Sequence, residues 1–240
     1  MSELPLISCI MPTRNRPRFV EQAVRYFKAS TYPRKELIIV DNSEEMPDVS
    51  FLFGDDRIWH DWRPGRQLVI GELRNIAVRQ AYGEIIAFMD DDDIYRPHRL
   101  FVQAMPIVEG SAQLSGLYMS LLLRTADMSL WSPSEQVHDA LFGYSVRCGT
   151  LMFRRELWEA VPFEDTSRGE DAAFLQAQLA RGQTLAQVRD ETAYICVRHA
   201  ENVSREPGGI EPPEWEQRPV EEYLSAEEIA FYRSLETVKA

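Results

Sequence analysis

Four consecutive aspartates, Asp90-Asp91-Asp92-Asp93, follow the apolar run Ile85 to Met89. Adjacent carboxylates repel one another, and a divalent cation is the simplest agent that keeps them ionised at neutral pH. On an extended chain Asp90 and Asp92 project to the same side, pairing two hard oxygen ligands of the kind that Mg2+ or Mn2+ takes. The same residues also suit a solvated acidic turn ahead of a helix, where the helix dipole favours negative charge. Spacing by itself leaves both readings open. Asp41-Asn42-Ser43 closes another apolar run and is open in the same way, between ordinary turn chemistry and a carboxylate that accepts a hydrogen bond from a ligand. A third constellation is Ser167-Arg168-Gly169-Glu170-Asp171. Ser167 and Glu170 have capping-box spacing, which predicts that Glu170 reaches back to the helix start. That leaves Asp171 as either a dipole-favoured acid of the first turn or a proton acceptor. His199 follows the last apolar run as a loop histidine, and His60, His98 and His138 have no partner that the sequence identifies.

The elements that must hold these residues read as an alternation of strands and helices. Leu6 to Met11 is a short strand ended by Pro12, and Pro17 opens a helix with Val20, Ala23, Val24 and Phe27 on one face. Glu36 to Val40 is a second buried strand. Leu73, Ile76, Ala77 and Ala81 form a helical stripe stopped by Gly83 as a C-terminal cap. Ile85 to Met89 is a third strand, and Pro97 opens a helix with Leu100, Phe101, Ala104, Met105 and Val108 inward. Continuous apolar strands separated by helices imply a mostly parallel sheet covered on both faces, an α/β class. Further on, Leu117 to Leu123, Ser145 to Phe153 and Thr192 to Val197 read as strands, and Glu170 to Ala180 as a helix. Glu206 to Pro219 carries too many prolines and glycines for regular structure and precedes a helix over Ala226 to Leu235. The expected organisation is one main domain over 1–205 and an acidic appendage over 206–240. In such sheets ligands bind beyond the carboxyl ends of the strands, and here those ends carry Pro12-Thr13-Arg14-Asn15, Asp41-Asn42 and the aspartate run.

Composition narrows the function. The 240 residues are 45% hydrophobic and 27% charged, an ordinary globular balance that excludes disordered, collagenous and coiled-coil classes. A net charge of −12 repels polyanions at long range, which argues against nucleic acid or an anionic membrane as the main partner. Half of that excess lies after Arg205, where nine acids face three bases. Cys9, Cys148 and Cys196 lack metal-type spacing and sit among apolar neighbours, the pattern of buried thiols in a reducing, cytoplasmic compartment. Neither a signal peptide nor an apolar run long enough for a membrane span is expected. No glycine-rich turn follows the first strand and no Walker-type lysine motif occurs, so neither dinucleotide nor P-loop binding is supported.

Together the segments ISCIMPTRNRP, ELIIVDNS, LRNIAVRQAYGEIIAFMDDDD with IYRPHRL, GTLMFRRELW, RGEDAAF and VRHAENVS resemble, in order and spacing, the inverting glycosyltransferases of family 2 with the GT-A fold. The resemblance implies a nucleotide-diphosphate sugar donor, UDP-linked by preference, and a saccharide, peptide or small-molecule acceptor. It implies that Thr13 and Asp41, with Pro12 and Asn15 beside them, contact the base, and that Asp91 contacts the ribose. Asp90 and Asp92 would hold Mn2+ or Mg2+ on the diphosphate, and His199 would be a further metal or phosphate contact. Asp171 would be the general base, and Arg74 or Arg14 would assist the leaving group. Two departures from the family pattern stand out: the run has four aspartates, and Asp41-Asn42 stands where Asp-Asp is commoner.

Two other functions fit parts of the sequence. An apolar strand ending in Asp-x-Asp also suits a haloacid dehalogenase type phosphatase. That class needs a downstream lysine, and none occurs between Asp93 and Lys239. A non-catalytic nucleotide-sugar-binding protein would keep the pocket without turnover. For the acceptor, Trp131, Trp158 and Trp215 are candidate stacking surfaces or, equally, core residues. The acidic segment suits either a lid over the acceptor cleft or the interface of a homodimer.

Overall fold

The computed structural model of the chain describes residues 3–141, 146–200, 202 and 215–236. Its frame is a seven-stranded sheet flanked by helices, in the order β10-β6-β9-β4-β1-β2-β3. These strands are β1 (Ile7–Thr13), β2 (Lys35–Asp41), β3 (Ile58–Trp62), β4 (Ile85–Phe88), β6 (Leu114–Tyr118), β9 (Met152–Arg154) and β10 (Leu185–Arg189). All neighbours are parallel except at β9, which runs antiparallel to both β4 and β6. A second sheet, β12-β8-β7-β11-β5, is built from β5 (Ile94–Tyr95), β7 (Leu121–Arg124), β8 (Ser129–Pro133), β11 (Tyr194–Arg198) and β12 (Trp215–Arg218). The helices are α1 (Pro17–Ala29), α2 (Ile70–Gln80), α3 (Arg99–Val108), α4 (Glu135–Leu141), α5 (Arg155–Ala160), α6 (Glu170–Ala180), α7 (Val220–Tyr223) and α8 (Ala226–Glu236).

Period-two geometry explains why the central strands are apolar without interruption. Leu37 and Ile39 of β2 join Cys9 and Met11 of β1 in a core shared with α1 and α3. Ile38 and Val40 point the other way, with Ile10, into a core shared with α2 and α6. Each fully buried aliphatic or aromatic side chain contributes about 1.5–3 kcal/mol.

Several expectations are corrected. β1 continues through Pro12 to Thr13. Its pairing with β4 ends at Ile10, so the missing proline N–H costs no bond on that side. Leu117 to Leu123 is two strands, because Met119 adopts a φ of 63° and turns the chain from the first sheet into the second. In place of a strand over Ser145 to Phe153, Cys148–Thr150 forms a single 3-10 turn before β9; Ser145 lies outside the described residues. There the Thr150 hydroxyl donates to the Arg147 carbonyl and accepts from the Leu117 N–H, offering the backbone an alternative to a ladder. α3 starts at Arg99, two residues after Pro97, and Phe101 faces outward while Leu100, Gln103, Ala104 and Ile107 are buried. Trp215 to Arg218 is a strand despite the surrounding breakers, paired with β8. The expected boundary near Arg205 falls outside the described residues. Beyond it, α8 packs on α1, with Tyr232 in the core beside Tyr26 and Phe231 against Phe19.

Gly83 is not a helix cap: α2 ends at Gln80 and its cap is Ala81 in an extended conformation. The glycine serves a close approach instead. Its N–H donates to Ser8 Oγ, and a Cβ there would lie 2.5 Å from that oxygen and 2.7 Å from the Leu6 carbonyl oxygen. Gly83→Ala is therefore expected to destabilise the fold by about 1–3 kcal/mol, the usual cost of overpacking, read as a lower urea midpoint with an unchanged slope.

Candidate active site

The carboxyl ends of β1, β2 and β4 converge on one edge of the sheet, where Thr13, Asp41 and the four aspartates meet. The aspartates alternate. Asp91 and Asp93 are buried, whereas the side chains of Asp90 and Asp92 retain 28% and 13% exposure. Asp93 accepts from the Tyr194 hydroxyl at 2.5 Å and the Val197 N–H at 2.8 Å, which ties the run to the second sheet. Asp91 accepts from Thr13 Oγ1 at 2.6 Å and Arg16 at 3.0 Å. Burial, reinforced by the Asp92 charge, pushes the carboxyls of Asp91 and Asp93 up to about 7.

Asp92 differs because cations and donors surround it. Arg16, His199 Nε2 and Asn202 Nδ2 all reach its Oδ2 at 3.1 Å. Burial opposes ionisation there, but the His199 hydrogen bond and the Arg16 charge outweigh it and hold the carboxyl below its ordinary value. Asp90 is met from the other side. Arg74, buried on α2, stacks on Phe88 with its guanidinium 3.9 Å from the ring centre, donates to Asp90 Oδ1 at 3.1 Å and to Glu170 Oε1 at 2.6 Å. Burial raises the carboxyls of Asp90 and Glu170, and Arg74 pulls them back.

The expected capping box is overturned by this contact. The N-cap of α6 is Gly169, at φ 78°, without a side-chain cap; Ser167 instead accepts from the Ile70 N–H at the start of α2. Glu170 turns inward because a buried guanidinium needs a carboxylate partner more than a helix start needs a cap. Asp171, next in the chain, is half-buried in the first turn of α6, and its charge acts on both Arg74 and Asp90. Arg74 thus gathers the start of α6 and the end of β4 at one place.

Asp41 has a full set of neighbours. Its Oδ1 accepts from the Ser43 N–H at 2.8 Å and from the Ser43 hydroxyl, and its Oδ2 meets His60 Nε2 at 3.1 Å. Asn15 takes a φ of 56°; its N–H donates to Ser43 Oγ and its side chain accepts from the Glu44 N–H, locking the two loops together. A cavity beside this pair is lined by Thr13, Arg16, Pro17, Val20, Asp41, Pro47, Asp48, Val49, Phe51 and His60. Pro12 is half-buried, and Arg14 is engaged in an ion pair with Glu44. His60, Arg16 and Asn202 join the cluster without having been singled out. β3 brings His60 to Asp41, and its half-exposed sequence Ile58–Trp62 has no apolar run that would announce a strand. Of the tryptophans, Trp215 is buried, Trp158 donates to Asn75 against the core and Trp131 packs on the cluster that contains Trp215.

A glycosyl transferase family 2 model matches residues 8–120, which span β1 to β6 and end just past them. That match spans just under half of the chain and, with the relatives that follow, supports a glycosyltransferase of family 2. This glycosyltransferase is 27% identical over 188 residues to TuaG of Bacillus subtilis, whose name assigns it to teichuronic acid biosynthesis; the match covers 75% of this chain and 74% of TuaG. It is 36% identical to the Escherichia coli colanic acid biosynthesis glycosyl transferase WcaA over 109 residues, which is 42% of this chain and 38% of WcaA. Among solved structures, residues 1–349 of Staphylococcus aureus TarS in complex with UDP-GlcNAc superpose with a TM-score of 0.65 at 18% identity. That match covers 82% of this chain and 60% of the TarS fragment. The mannosyltransferase PcManGT of Pyrobaculum calidifontis, in complex with GDP-Man and Mn2+, gives 0.62 at 18% identity over 82% of this chain and 57% of PcManGT. These likenesses bear out the mixed α/β architecture of the GT-A type. Among the described residues no helix is long and apolar enough to cross a membrane.

Proposed function

We propose that this glycosyltransferase moves a sugar from a nucleotide diphosphate, UDP-linked by preference, to an acceptor hydroxyl with inversion, using Asp171 as general base. The observation that carries the reading is the Arg74 bridge, because it sets the Asp171 helix and the aspartate run on the same side of the sheet edge. A sugar hydroxyl is a poor nucleophile at neutral pH, so a positioned carboxylate must take its proton as the oxygen attacks the anomeric carbon opposite the leaving diphosphate. In this reading Thr13 and Asp41, with Pro12 and Asn15 at the loop, contact the base and Asp91 contacts the ribose. Arg74 is buried between Asp90 and Glu170, which gives it the task of aligning them rather than reaching the phosphate.

The donor set suits Mn2+ or Mg2+. No group of three or more His, Cys, Asp or Glu side chains converges as a ready-made metal cage among the described residues. Such ions are commonly held by one or two carboxylates together with substrate phosphates. Asp90 and Asp92, with His199 beside them, are the residues that would hold the cation. When bound, it would neutralise charge on the departing diphosphate. Titration with UDP-, GDP- and dTDP-sugars, each with and without Mn2+, tests the reading. Calorimetric binding of at least one of them, tightened by Mn2+, is expected; no association with any donor under either condition would remove it.

A further inference from the structure

Arg16 and His199, which both reach Asp92 Oδ2 at 3.1 Å, share one aromatic neighbour. The imidazole of His199 packs on the ring of Phe19, with the centroids 4.7 Å apart and the planes 30° from parallel. The Arg16 guanidinium carbon lies 5.7 Å from the centre of the same ring. Phe19 belongs to the first turn of α1 and is 7% exposed. Its ring is held in turn by α8, where Phe231 meets it edge-on, with the centroids 6.3 Å apart and the planes at 87°. Arg18, next in the chain to Phe19, donates to Ser234 Oγ at 2.6 Å and lies 5.8 Å from the centre of the Phe231 ring. The hydroxyls of Tyr26 and Tyr232 meet at 3.5 Å elsewhere along the same two helices. The helix that follows the proline-rich stretch thus reaches the aspartate run through the ring of Phe19.

We propose that Phe19, held by Phe231, is a positioning residue of the cation site, its ring aiming His199 and Arg16 at Asp92. This inference rests on the reading that Asp90 and Asp92, with His199, hold the cation. An imidazole turns about a broad, roughly two-fold torsion, so the path of the backbone does not by itself say where Nε2 points. A flat ring packed nearly parallel to it restricts that rotation, and the side-chain entropy is then lost on folding instead of on binding. The guanidinium is drawn to the same ring as a cation is to an aromatic face. Groups that orient metal ligands typically weaken metal affinity by about 10–100-fold when they are removed. Phe19 would supply by packing the orientation that such groups usually give by hydrogen bonding. The backbone of His199 is held separately, since its N–H donates to Asn202 Oδ1 at 2.6 Å, so loss of the ring frees the imidazole rather than the loop.

The test is calorimetric binding of UDP, with and without Mn2+, to the full chain and to Phe19→Leu, Phe19→Tyr and Phe231→Leu. The ratio of the two affinities reads the cation site apart from the rest of the donor pocket. Phe19→Leu keeps an apolar side chain but removes the flat face, and it is expected to cut that ratio by about ten-fold while binding of UDP alone stays nearly unchanged. Phe19→Tyr keeps the ring and should recover most of the ratio. Phe231→Leu, which reaches the site through Phe19, should lower the ratio by a smaller factor. An undiminished ratio in Phe19→Leu would overturn the inference. So would equal losses with and without Mn2+, which mark a merely structural residue, or a ratio in Phe19→Tyr as low as in Phe19→Leu. Should Phe19→Leu fail to fold, Phe231→Leu decides, and an undiminished ratio there overturns the inference. Absence of any Mn2+ effect on UDP binding to the unmodified protein would instead remove the reading of the cation site on which the inference rests.

Discussion

Asp171→Asn is expected to lower sugar transfer by about 10²–10⁴-fold, the usual contribution of a positioned general base, while affinity for the donor stays within a few fold. The two outcomes separate because the proposed reading gives the acceptor hydroxyl to Asp171 and the donor to Asp41, Asp91 and the partly exposed Asp90 and Asp92. The amide is close in size to the carboxylate and can still accept the Ala172 N–H that Asp171 Oδ1 accepts at 2.7 Å. The start of α6 should therefore persist. Removing the negative charge next to Arg74 and Asp90 alters their electrostatic balance modestly, so a small change in cation affinity is compatible with the assignment. Single-turnover transfer under saturating donor is the measurement that decides. A variant turning over near the original rate would strip Asp171 of its role.

Arg74→Met should have the second large effect, on stability and turnover together. The Arg74 side chain is 4% exposed and lies between Glu170 and Asp90, so its loss leaves the buried Glu170 and the partly exposed Asp90 without this cation. Breaking such a pair by removing one partner costs about 3–5 kcal/mol. Methionine fills much of the space against Phe88, which makes the missing charge rather than a cavity the main cause. Arg74→Lys should recover little, since one ammonium cannot serve two carboxylates in the fork geometry of a guanidinium.

The damage should depend on pH with a definite sign. Burial raises the carboxyls of Asp90 and Glu170, and Arg74 is what pulls them down. Without it they rise further, and the folded variant binds protons that the unfolded chain has released. Stability of Arg74→Met relative to the original protein should therefore improve as pH falls from 8 towards 5. Urea midpoints at those pH values test this; a deficit that grows on acidification would contradict it.

Much of the frame could be read along the chain because the central strands and their helices satisfy local rules. β1, β2 and β4 are buried on both faces and so are written as unbroken apolar runs. α1 carries Pro17 at its start and a helical stripe behind it, and α6 matches the expected span Glu170–Ala180 at both ends. The edge strands β3, β10 and β12 escaped notice because half-exposed strands hold polar residues and lose the signal. Arg99 is another case. It is fully buried and donates to the carbonyls of Phe88 and Thr150, bracing the end of β4 just before the aspartates, yet at the start of a helix it looks like any surface arginine.

What the amino-acid order determined by itself was the set of acidic groups at strand and helix ends, the α/β alternation that delivers them to one edge, and the family those segments resemble. Only the tertiary structure decided how the acids are partnered. Asp91 and Asp93 turn inward, Glu170 leaves its cap for Arg74, and His60 comes from an edge strand to Asp41. The reason is physical. Local periodicity sets which way a side chain points, but the ionisation and hydrogen bonding of a buried carboxylate depend on cations and donors brought from distant parts of the chain, and neither propensity nor spacing encodes those meetings.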